Sequence, residues 1–60
     1  MGLFDGTVKS FASDIVTALR ARAEVRRKVA EKDAANSTHH RVVAITLDDV
    51  AEVIKDVAKL

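Results

Sequence analysis

Few side chains in this sequence have types and spacing suited to chemistry. His39 and His40 are the only histidines, and they are adjacent. Neighbouring residues of an extended segment point to opposite faces, so the two imidazoles do not chelate one ion together. A metal site would need converging ligands from elsewhere. No carboxylate is spaced to supply them, and the chain has no cysteine. Asp48, Glu52 and Asp56 recur every four residues and share one helical face. That face lies opposite an apolar stripe, which makes it a solvated surface rather than an acid–base pair. Ser10, Ser13 and Ser37 have no evident base, and Gly2 and Gly6 alone cannot build a phosphate-cradling loop. The expectation is a non-enzymatic chain with no catalytic residue, cofactor or metal.

Positive charge is the remaining feature, and it is segregated. Residues 20–32 hold Arg20, Arg22, Arg26, Arg27, Lys28 and Lys32 against Glu24 and Glu31. Residues 33–60 hold five carboxylates, Asp33, Asp48, Asp49, Glu52 and Asp56, against Arg41, Lys55 and Lys59. At about 100° per residue, Arg22 and Arg26 fall on the stripe that carries Phe4, Val8, Phe11 and Ile15. Arg20, Arg22, Arg26, Arg27 and Lys28 are therefore candidates for contact with an anionic partner: carboxylates, phosphate or acidic lipid. The plainer alternative is that long arginine stems cover apolar surface and carry their charges out to water.

The elements that position these residues follow from period and capping. Phe4, Val8, Phe11, Ile15, Arg22, Val25 and Val29 trace a heptad-like seam, with Leu19 beside it. No proline interrupts it, which predicts one long amphipathic helix over about 3–35. Asn36, Ser37 and Thr38 favour a turn, with Asn36 as a helix C-cap, so a hinge is expected at 36–40. Residues 41–46 are mostly β-branched and read three ways: a short strand paired between chains, an extended crossing, or an early start to the last helix. Thr46 with Asp49 resembles a capping box. Leu47, Val50, Ile54 and Val57 then form the seam of a short C-terminal helix, 47–60. The fold class is mostly α, in a single small domain.

Size makes association the central expectation. The chain has 60 residues, of which 48% are apolar and 32% charged, with a net charge of +1 and no disulfide to staple it. Chains this small are marginal unless another element completes the core. A first helix of about 30 residues also outruns a second of about 13, leaving apolar surface uncovered. The favoured partner is another copy or a larger protein assembly, as in small virion components, oligomerisation modules and accessory subunits. Asp5, Lys9 and Asp14 interrupt any secretory leader pattern, and no apolar run reaches 18 residues. The expected location is cytoplasmic or within an assembled particle.

Two resemblances point to other partners. Gly2-Leu3-Phe4-Asp5 resembles the start of the amphipathic frog-skin peptides of the aurein and citropin type, which implies contact with an anionic membrane surface. The chain departs from them afterwards, with Lys9 alone where those peptides carry several lysines. Residues 41–60 resemble the opening of ribbon-helix-helix repressors, a β-branched strand followed by Thr46-Leu47-Asp48-Asp49 and an amphipathic helix. That likeness implies a dimer laying a two-stranded ribbon in DNA. The second helix of that fold has no counterpart here, and a net charge near zero weighs against a nucleic-acid partner.

Overall fold

A computed structural model describes residues 6–60. Helix α1, Gly6–Lys32, and helix α2, Ser37–Ala58, are joined by one 3₁₀ turn, Ala34–Asn36, and pack as an antiparallel hairpin. Phe4 and the Gly2–Asp5 likeness lie outside the described residues. The hairpin measures 51 × 14 × 11 Å, with a radius of gyration of 14.2 Å. A compact chain of this length would have a radius near 10 Å. The described residues thus form a single layer of two helices with no second layer packed on it.

The buried positions of the seam between the helices are almost all alanine. Val16, Ala23 and Ala30 on α1, and Ala44, Ala51 and Ala58 on α2, are spaced by seven and buried. With Ala12 they complete the buried core among the described residues. Ala23 and Ala51 are both 0% exposed. Half-buried Leu19 and Arg26 on α1, and His40, Leu47 and Ile54 on α2, alternate with them at spacings of three and four. Small residues at every seventh position let the two backbones approach closely. They also contribute little burial, since each alanine offers one methyl, about 0.8 kcal/mol.

This seam explains how residues 41–46 resolve. They lie inside α2, as the early helical start and not as a strand or crossing. The helical period seats Ser37, His40, Ala44 and Leu47 against α1, and that tertiary gain overrides the β preference of Val42, Val43 and Ile45. Thr46 is not a cap: its hydroxyl donates to the Val42 carbonyl within the helix, 2.9 Å away. The ribbon-helix-helix likeness therefore lacks its strand. The expected length mismatch also shrinks, because α2 has 22 residues against 27 in α1.

The chain reverses earlier than the expected 36–40 hinge. Asp33 ends α1 with its amide donating to the Val29 carbonyl, and the Asn36 amide donates to the Asp33 carbonyl at 3.1 Å, closing the turn. Asn36 thus precedes α2 instead of capping α1. At the other end, Lys59 adopts a left-handed conformation (φ 58°). The amides of Lys59 and Leu60 there donate to the carbonyls of Asp56 and Lys55, the pattern of a Schellman stop.

Enlarging the seam should part the helices. Ala51→Leu should cost about 1–3 kcal/mol through overpacking, lowering the melting temperature by at least about 4 °C in a chain of this size. Ala21→Leu, on the exposed side of α1, should leave it unchanged. Circular dichroism melts of both variants check this.

Candidate functional site

Antiparallel pairing gives the hairpin two unlike faces. On α1, Phe11, Ile15, Ala18, Arg22, Val25 and Val29 lie roughly a quarter-turn to one side of the seam. On α2, Val43, Thr46, Val50, Val53 and Val57 lie a similar angle from it. Because the helices run in opposite directions, both stripes turn to the same side of the molecule. A shallow groove of about 380 Å³ confirms the juxtaposition, lined by Arg22, Val25 and Arg26 of α1 with Val43 and Leu47 of α2. Phe11 is 67% exposed on this face and Val57 63%.

The opposite face is ionic. Arg20 Nη1 donates to Asp48 Oδ1 at 3.4 Å, and Arg20 Nη2 also bonds Glu52. Arg27 Nη1 donates to Asp48 Oδ2 at 3.0 Å, while its Nε reaches Glu24 at 3.2 Å. The carboxylates of Asp48, then Glu24, push the Arg27 guanidinium above its usual value. Partly exposed pairs of this kind each contribute about 0–1 kcal/mol. Their stronger effect is on register, because Arg20 and Arg27, one heptad apart, bracket Asp48.

A polar clasp closes the turn end of the seam. Arg26 Nη1 lies 3.1 Å from His40 Nδ1, and His40 Nε2 lies 3.0 Å from Asp33 Oδ2. A guanidinium only donates, so Nδ1 accepts and the ring proton sits on Nε2, donating to Asp33. Asn36 Nδ2 donates to the same carboxylate at 3.1 Å. These bonds, His40 first and Asn36 second, hold the Asp33 carboxyl below its usual value of 3.8. The His40 side chain is nearly buried and lies within α2, past the turn, although the expected hinge spans 36–40; His39 is exposed.

The residues read from sequence as an interface divide between these regions. Leu19, Leu47 and Ile54 sit in the intramolecular seam, with Val8 and Ile15 half-buried. Phe11, Arg22, Val25, Val29, Val50 and Val57 stand on the open apolar face. Of the basic candidates, Arg20 and Arg27 are engaged by the hairpin's own carboxylates and Arg26 by His40. Arg22 and Lys28 are exposed and make no ion pair among the described residues. The alanine seam itself was the missed element; its signal was the strict spacing of seven at 16, 23, 30 and at 44, 51, 58. Among the described residues, no group of histidine and carboxylate side chains is placed to hold a metal ion. No helix among them is long and apolar enough to cross a membrane.

The chain matches no family model, and neither the curated proteins nor the solved structures contain a similar one at a significant level.

The clasp makes stability depend on acid. Because the folded Asp33 carboxyl is depressed, its contribution is present above the unfolded value near 3.8 and is lost as pH falls through the lower folded value. The melting temperature should drop below about pH 4. Asp33→Asn should flatten part of that drop, measured by melts between pH 6 and pH 2.5.

Proposed function

We propose that this chain is a non-catalytic association module, a helical hairpin that assembles with itself or as a subunit of a larger protein complex. One observation carries the reading: the apolar stripes of both helices share one open face, with Phe11, Val25 and Val29 beside Val43, Val50 and Val57. Scattered exposed apolar residues are ordinary on a monomer, but a contiguous face is the mark of an interaction surface. The total accessible surface agrees. It is 4493 Å², against about 3,800 Å² for a compact monomer of this length. The excess is close to what one partner buries in a standard interface, about 800 Å².

The energetics favour the same reading. The alanine seam supplies little burial, so covering the second face adds much of the apolar area that a stable fold needs. The ionic face needs no partner, since its charges are already matched within the hairpin.

Light scattering tests this. The chain should have a mass above that of one copy at micromolar concentration. Val50→Asp, which sets a charge on the apolar face, should weaken association at least tenfold. Ile45→Asp, beside Arg27 and Arg41 on the other side, should not. A monomer that gains helicity only on vesicles of anionic lipid would replace this reading with a membrane-surface one.

A further inference from the structure

We infer that the apolar face receives a second copy of the hairpin, related by a twofold axis parallel to the helices, so that α1 of each copy lies along α2 of the other. The inference rests on the association reading above and adds the partner and its orientation to it.

The available area suits a second copy. The stripe from Phe11 to Val29 runs about 27 Å and the pair of helices is about 20 Å wide. Two such faces bury on the order of 1,000 Å² together, the lower bound for a specific interface. A closed, isologous pair of flat faces has two arrangements. With the twofold axis across the helices, α1 stacks on α1 and α2 on α2. With the axis along the helices, α1 stacks on α2.

Charge decides between them. On the open face α1 presents Arg22 and Arg26, which line the groove, whereas α2 presents Val43, Val50 and Val57, with Asp48 and Glu52 on the opposite face. The crosswise axis stacks α1 on α1 and so brings the arginines of both copies into one contact. The lengthwise axis keeps them apart, with each α1 lying on the uncharged stripe of the copy's α2, which discriminates against the wrong arrangement.

Register follows with no free choice. A pure twofold along the helices has no translation along its axis, so every residue of the copy stands at the height it has within the hairpin. Arg20 and Arg27 both reach Asp48, so Arg22 lies at the level of the acidic stretch 48–52. In the lengthwise dimer, Arg22 therefore faces the stretch of the copy's α2 around Val50 and Val53, since Asp48 and Glu52 at that level are turned to the opposite face. The long Arg22 stem then lies over apolar surface and carries its guanidinium out to the rim. The product is a four-helix bundle in which each helix runs antiparallel to those beside it.

The two arrangements differ in where the turns fall. The lengthwise axis brings both turns to one end, and the crosswise axis puts them at opposite ends of a rod 51 Å long. The chain has no cysteine, so Ala35→Cys in the exposed turn accepts a single nitroxide label, and Ala34→Cys repeats the measurement. Pulsed electron–electron resonance on the associated protein should give an inter-copy distance under about 30 Å. A distance near 50 Å would overturn the lengthwise dimer while leaving association intact. No inter-copy distance, with a monomer mass by light scattering, would overturn the association reading as well.

Discussion

The close approach of two helices along an alanine seam governs the rest of this structure. Ala23 and Ala51 have no exposed surface, and the seven-residue spacing of 16, 23, 30 and of 44, 51, 58 keeps small side chains facing across the whole contact. Larger side chains reach it only at its margins, where Leu19, Leu47 and Ile54 are half-buried. The bulky side chains Phe11, Val25, Val29, Val50 and Val57 are consequently displaced to the outside. One constraint thus produces both the narrow hairpin and the apolar face. A leucine seam would have buried more, but it would also have set the helices further apart.

Polar groups fix what alanine cannot. A seam of small, nearly identical residues specifies register weakly. The Arg20 and Arg27 bonds to Asp48 set the alignment at mid-length, and the Arg26–His40–Asp33 clasp sets it at the turn. Asn36 joins the clasp from the turn itself, so the reversal and the register are held by the same carboxylate. This leaves one face satisfied by its own charges and the other apolar, with Arg22 in its midst. The hairpin has the form of half of a bundle.

Much of this was legible in the residues, and the losses have physical causes. The long first helix and the apolar stripe of Phe11, Val25 and Val29 follow from period and residue type. The strand reading of 41–46 rested on β-branched propensity, which is weak against the packing of Ala44 and Leu47 on α1. The seam was obscured because ranking residues by size makes large apolar side chains the core and alanines its margin. Here the order is reversed, and only the heptad spacing of the alanines carried the signal. The clasp joins residues from three elements, and no local pattern announces that Arg26, Asp33 and His40 will meet.

The central claim is that the alanine-seamed hairpin is marginal alone and gains stability when its apolar face is covered. The most direct test is the melting temperature as a function of protein concentration, followed by circular dichroism from about 1 to 500 μM. The account predicts a midpoint that rises steadily with concentration, because folding and association are linked. A midpoint independent of concentration, with a cooperative transition throughout, would show that the hairpin is stable by itself and would contradict the account.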